Sequence, residues 1–206
     1  METVDLTGEW QLSEAGSNGQ LPATVPGDVH LDLMAADRIP DPFYRDNEQS
    51  LKWIGEKDWE YEREFDVSAA FLGHDRILLQ CDGLDTLADV TVNGECIGSA
   101  DNMFRTWEWD VKPVLKPGRN TLRISFRSVM PEIERLQQDR YFQSAGGRNP
   151  IRIDGGCHIR KEPCNFGWDW GPICLTCGIW RPLRLVALNQ ARLKDVHVQQ
   201  HHKADG

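Results

Sequence analysis

Ala88-Asp-Val-Thr-Val-Asn-Gly-Glu-Cys-Ile97 is the stretch on which the architecture turns. Ala88, Val90 and Val92 alternate with polar residues, the period of a strand that buries one face. Asn93-Gly94 follows, a dipeptide that tolerates the positive φ angles of a tight hairpin turn, and Cys96 and Ile97 begin the return strand. The same grammar extends in both directions. Upstream, Trp59, Tyr61, Phe65 and Val67 fall on one face of a strand, and Ile77 to Cys81 is an apolar run of buried-strand length. Downstream, Pro117-Gly118 marks a turn before the alternating set Leu122, Ile124 and Phe126. Leu183 to Leu188 and Val196 to Val198 complete the series. Regular short strands with little helix predict an all-β, antiparallel jelly-roll β-sandwich, galactose-binding-domain-like, with short connecting helices. Asp28 after Pro26-Gly27 caps the first helix, in which Val29 and Leu33 share a face. Pro131 starts a second, with Ile133 and Leu136 inward. Arg140 to Cys157 is poor in apolar periodicity and reads as a long surface loop.

The chain has 206 residues, enough for one large all-β domain with a real core. Its net charge of −9 repels phosphate backbones and anionic bilayers, so neither nucleic acid nor a membrane is an expected partner. Met1 to Trp10 carries no cationic start or apolar secretory run, and the expectation is a soluble, cytoplasmic chain. Six cysteines stand at 81, 96, 157, 164, 174 and 177, expected as free thiols. Cys174 and Cys177 have a zinc-like spacing. Yet Ile173 to Cys177 reads as a strand, where positions three apart face opposite ways, so no metal is expected. His197, His201 and His202 read as a solvated tail.

The most unusual stretch is Phe166-Gly-Trp-Asp-Trp-Gly-Pro172, followed by Gly178-Ile-Trp-Arg-Pro182. A sugar presents apolar C–H faces and hydroxyl rims, so its site needs aromatic rings and carboxylate or amide acceptors. Trp168, Asp169 and Trp170 supply both within three residues. If the segment is extended, the two tryptophans share one face and Asp169 takes the other. Taken alone, the stretch is equally compatible with two core tryptophans and an aspartate that satisfies backbone donors.

These motifs, with Arg160-Lys161, Val25-Pro-Gly-Asp-Val-His30, Ile39-Pro-Asp-Pro-Phe43, Asp58-Trp59, Gly83-Leu-Asp-Thr86, Val92-Asn-Gly94 and Asp101-Asn-Met-Phe-Arg105, resemble the β-mannosidase branch of glycoside hydrolase family 2. The resemblance keeps its order over residues 5 to 182. It implies an amino-terminal, sugar-binding jelly-roll domain that packs on a later (β/α)8 barrel, with immunoglobulin-like sandwiches in the same protein. The barrel of such enzymes holds both catalytic glutamates and hydrolyses with retention. By resemblance, Trp168 walls the pocket of a terminal β-mannoside and Asp169 accepts its hydroxyls. Arg160 and Lys161 match the motif and join them as substrate-binding candidates. No cofactor is implied. The cysteines at 157, 164, 174 and 177 fall outside the pattern, which favours simple packing.

No catalytic residue is expected within this chain. Retention needs two carboxyl groups about 5–5.5 Å apart, and Glu132, Glu134, Glu162, Asp154 and Asp169 form no convincing pair. The expected organisation is a jelly-roll domain over residues 1–190 and, over 191–206, the truncated start of an immunoglobulin-like domain. Three readings remain open: an accessory domain of an exo-β-mannosidase or of a sister enzyme acting on another β-glycoside, a free-standing carbohydrate-binding module, and a plain packing module without a ligand.

Overall fold

The computed structural model describes residues 1–142, 152–193 and 195–202. Among these residues it contains the strands β1 (Glu2–Asp5), β2 (Gly8–Glu14), β3 (Leu21–Val25), β4 (Trp59–Val67), β5 (Arg76–Cys81), β6 (Ala88–Val92), β7 (Glu95–Ala100), β8 (Trp107–Asp110), β9 (Gly118–Phe126) and β10 (Leu183–Leu188). The helices are α1 (Val29–Ala35), α2 (Ala69–Leu72) and α3 (Met130–Asp139). One sheet runs β1-β10-β5-β8 and the other β3-β2-β4-β9-β6-β7. Every ladder between named strands is antiparallel. This is the sandwich that the alternating segments predict.

The core lies between the sheets, and each strand contributes the residues its alternation points inward. Tyr61, Phe65 and Val67 of β4 meet Leu122, Ile124 and Phe126 of β9 across a nine-pair register from Trp59↔Phe126 to Val67↔Gly118. The Tyr61 and Phe126 rings pack edge to face with centroids 5.8 Å apart, the arrangement aromatic quadrupoles favour. Arg63 occupies the same side of β4 yet breaks the apolar pattern. It keeps its charge solvated by protein, its guanidinium donating to the carbonyls of Leu6 (2.9 Å) and Thr7. The β6–β7 turn is made by Asn93 at φ 52 and Gly94 at φ 87, as the dipeptide predicts, and the hairpin's register shifts by a bulge between Val90 and Thr91. Asn93 also locks the neighbouring turn: its Nδ2 donates to Val114 O and Asn120 Oδ1, each at 2.8 Å.

Asp28 caps α1 through its carboxylate, which accepts from the His30 and Leu31 amides at 2.9 and 3.2 Å. The helix start is tied to the far end of the chain, because Val29 N donates to Cys177 O (2.9 Å) and Thr176 Oγ1 donates to Asp28 Oδ1 (2.8 Å). Those bonds explain a correction. Ile173 to Cys177 does not form a strand: Cys177 O serves the start of α1, Thr176 O accepts from Lys161, and Thr176 N turns back to Cys174 O. The six thiols are free. Val196 and Val198 likewise belong to no strand among the described residues and are exposed, because alternation becomes a strand only when a neighbour supplies hydrogen bonds. The loop read from Arg140 to Cys157 lies mostly outside the described residues.

Candidate functional site

A second, smaller core joins Leu87, Val129 and Ile133 to Phe166 and Leu175 and anchors the aromatic stretch beneath the sandwich. The amide of Ile153 donates to Phe166 O at 2.8 Å, and a short 3₁₀ turn over Pro163–Phe166 delivers the chain to Gly167 at φ 94. Gly167 suits that left-handed conformation, which a side chain would strain. Beyond it the chain reverses. Trp168 N donates to Gly171 O (3.2 Å) and Gly171 N to Trp168 O (3.4 Å). The segment is therefore a tight turn and not extended, which corrects the expectation that the two tryptophans share one face and Asp169 takes the other.

The turn carries its aromatic groups outward. Trp168 is 36% exposed and Trp170 74%, and Asp169 is exposed between them, so the reading as core tryptophans does not hold. Their rings lie 6.3 Å apart at 49°, and the Arg152 guanidinium covers Trp168 at 4.4 Å from the ring centroid. Such a cation over an indole face is attracted by about 0.5–2 kcal/mol and fixes the ring's tilt. Pro42, Phe43, Arg45 and Glu48 face the turn across an open depression of about 310 Å³. Phe43 is itself 76% exposed. The arrangement offers apolar planes, one carboxylate acceptor and flanking charge, the equipment that holds a polyhydroxylated ring. A larger concavity, about 670 Å³ beside β8, β10 and Arg192, is lined by Arg105 of the quoted motifs but by none of the four substrate-binding candidates Arg160, Lys161, Trp168 and Asp169. Its principal charges are already engaged, Arg192 with Glu108 and Arg184 with Asp82.

The two basic candidates part company. Arg160 is exposed, and its carbonyl accepts from Met103 N at 3.0 Å in a bridge to Asn102. Lys161 is only 2% exposed; its ammonium donates to Asp85 Oδ2 at 2.5 Å and Thr176 O at 2.7 Å. The structure thus sets Lys161 inside the domain, apart from the Trp168–Asp169 rim. Its cation closes a chain of bonds through Thr176 to Asp28 and the start of α1. His30 lies beside this chain. Burial pushes its imidazole below the ordinary range, Asp28 acts the other way, and Lys161 adds to the lowering, so the ring is neutral. Buried Asp32 accepts from Thr24 N (2.9 Å) and Tyr61 Oη (2.7 Å), and burial raises its carboxyl.

Sequence reasoning missed Asp85, Arg152, His30 and the facing Phe43-to-Glu48 segment as neighbours of the motif. Phe43, His30 and Asp85 stood in quoted motifs without a role; the signal was an aromatic residue in a Pro-rich loop for Phe43 and an imidazole in the first turn of α1 for His30. The described residues contain no group of three or more His, Cys, Asp or Glu side chains placed to hold a metal.

Residues 10–181 match the family described as glycosyl hydrolase 2 galactose-binding domain-like. The β-mannosidase of Rattus norvegicus is 38% identical over 195 residues, which are 93% of this chain and 22% of that protein. Beta-mannosidase A of Aspergillus aculeatus is 34% identical over 189 residues, 90% of this chain and 20% of the relative. The crystal structure of a β-D-mannosidase from Dictyoglomus thermophilum shares 38% identity at a TM-score of 0.86, covering 95% of this chain and 24% of that one. An exo-chitosanase from Amycolatopsis orientalis, at 17% identity and a TM-score of 0.67, shares the fold. The chain spans about a fifth of the length of the curated relatives it matches. On this match and these identities, the chain belongs to the glycosyl hydrolase 2 galactose-binding domain-like family.

Proposed function

We propose that this chain is the non-catalytic amino-terminal domain of a retaining exo-β-mannosidase, and that it supplies part of the wall around a terminal β-mannoside. The observation that carries the reading is the outward turn Trp168-Asp169-Trp170 facing Phe43 across an open depression. Trp168 gives an apolar plane, Asp169 accepts hydroxyl hydrogen bonds, and Arg160 stays exposed as a further donor. Lys161, buried on Asp85 and Thr176 O, ties the segment after that turn to the sandwich. The acid/base and the nucleophile belong to a (β/α)8 barrel outside residues 1–206, and this domain docks on that barrel with immunoglobulin-like domains in the same protein. Residues 191–206 are, on this reading, the start of a following immunoglobulin-like domain. Six free thiols suit a reducing compartment such as the cytoplasm.

A sugar held between an aromatic plane and a charged acceptor is oriented by both, and orientation is where a non-catalytic domain adds to rate. The reading is tested by assaying the full-length protein on a panel of aryl β-glycosides. Turnover of the β-mannoside well above that of the β-glucoside, β-galactoside and β-glucuronide is the expected result. Preference for any of the other three assigns the parent enzyme to a different sugar.

A further inference from the structure

Arg152 reaches Trp168 only through the fold, its guanidinium 4.4 Å from the centroid of the indole. The other three arginine–aromatic contacts among the described residues, Arg45 on Tyr44, Arg105 on Trp107 and Arg181 on Trp180, join residues one or two positions apart, where the chain alone brings them together. Arg152 and Trp168 instead share an anchor. Ile153 packs against the second core and its amide donates to Phe166 O at 2.8 Å, while Trp168 follows Phe166 by two residues. Gly156 presses the same segment onto that residue, since a Cβ there would meet the Phe166 ring at 2.5 Å. Backbone held on a buried phenylalanine therefore delivers the guanidinium to the indole.

What that contact does follows from the needs of a stacked sugar. An indole makes its full contact with a C–H face only where the two planes meet, so the tilt of the ring decides how much of the contact forms. Trp168 is 36% exposed, and ordering a half-exposed side chain at the moment of binding costs affinity. A guanidinium within about 6 Å of a ring centroid is attracted to its face, and its planar shape lets it stack there. We infer that Arg152 is the positioning residue of this wall: it touches the indole and not the sugar, covers one face of the ring, and holds Trp168 at the tilt at which the terminal mannose stacks on the other. The inference rests on the reading that Trp168 contacts that sugar. The competing role is a direct hydrogen bond from the Arg152 guanidinium to a sugar hydroxyl, and the two differ in whether the effect of Arg152 passes through Trp168.

The test is a double-mutant cycle in the full-length enzyme, with kcat and KM measured on an aryl β-mannoside for Arg152→Ala, Trp168→Ala and the two combined. Arg152→Ala should raise KM about three- to tenfold, the weight of ordering one side chain, and leave kcat within about twofold, because substrate and transition state meet the stacking plane alike. Arg152→Lys, which keeps a cation for the indole, should recover part of the loss. In the Trp168→Ala background the same Arg152→Ala change should move KM by less than about twofold. A rise in KM as large in that background as in the wild type overturns the inference and gives Arg152 a contact of its own with the sugar. Wild-type kinetics in Arg152→Ala, with Trp168→Ala impaired, overturn it while leaving the terminal-sugar reading intact. Wild-type kinetics in Trp168→Ala remove that reading and the inference with it.

Discussion

Arg160 and Lys161 are adjacent in the sequence and opposite in fate, which shows what a motif alone leaves out. Lys161 finds its partner 76 residues away in Asp85, a contact no local pattern encodes. Removing one partner of a buried pair leaves the other charge desolvated, at a cost of about 3–5 kcal/mol. Lys161→Met should therefore lower the melting temperature by on the order of 10 °C. Pairing it with Asp85→Leu should restore much of the loss. Differential scanning fluorimetry on the three variants checks this, and an unchanged melting temperature in Lys161→Met would show that the pair carries no stability. His30 adds a pH signature. Its folded-state pKa lies below the ordinary 6.5, so the unfolded chain binds more protons between those two values. Stability from this group is present above pH 6.5 and is lost as the pH falls toward the folded pKa, by up to about 1.4 kcal/mol per pH unit. Melting curves from pH 8 to pH 5 should show the wild type losing stability faster than His30→Asn, and parallel curves would contradict it.

At the scale of elements, the sequence was legible wherever one face of a strand is buried, because period 2 is then forced on the side chains. Tyr61, Phe65 and Val67, or Leu122, Ile124 and Phe126, could be placed without any structure. Asn93-Gly94 was legible for a different reason: few dipeptides accept two positive φ angles. Ile173 to Cys177 misled because hydrophobic residues also line an irregular segment whose backbone serves a helix cap and a lysine. The Trp168–Gly171 turn was equally illegible, although Gly167 and Pro172 flanked it as punctuation. Packing between elements leaves its own test at Gly98 of β7. A Cβ there would sit 2.0 Å from the Trp109 indole nitrogen of β8, across the gap between the sheets. Gly98→Ala should cost about 1–3 kcal/mol through overpacking. Gly19→Ala, where nothing lies within 4 Å, should change stability by less than about 0.5 kcal/mol. Urea denaturation of both variants decides it, and equal midpoints would mean that Trp109 moves aside freely.

The molecule as a whole presents a two-sheet body with its unusual residues gathered at one rim. Phe43, Trp168 and Trp170 are exposed there together, more apolar surface than scattered single residues would leave. A partner domain and a sugar both want such a surface, and its Asp169 carboxylate is the group that distinguishes them. The family motif made Trp168 and Asp169 legible as candidates. The facing wall was not legible, because Phe43 and Trp168 lie 125 positions apart and meet only through the fold.

The central claim is that Asp169 holds the terminal sugar while remaining dispensable for folding. Kinetics and melting measured on the same full-length preparations of Asp169→Asn and Asp169→Ala test it most directly. Hydroxyl hydrogen bonds to a charged acceptor are worth about 1.5–3 kcal/mol each, so kcat/KM on the β-mannoside should fall by roughly one to several orders of magnitude. Melting should shift by no more than about 2 °C, since Asp169 is exposed. Near-normal kcat/KM in both variants, with a melting temperature lowered by several degrees, would contradict the account and make Asp169 a structural acceptor.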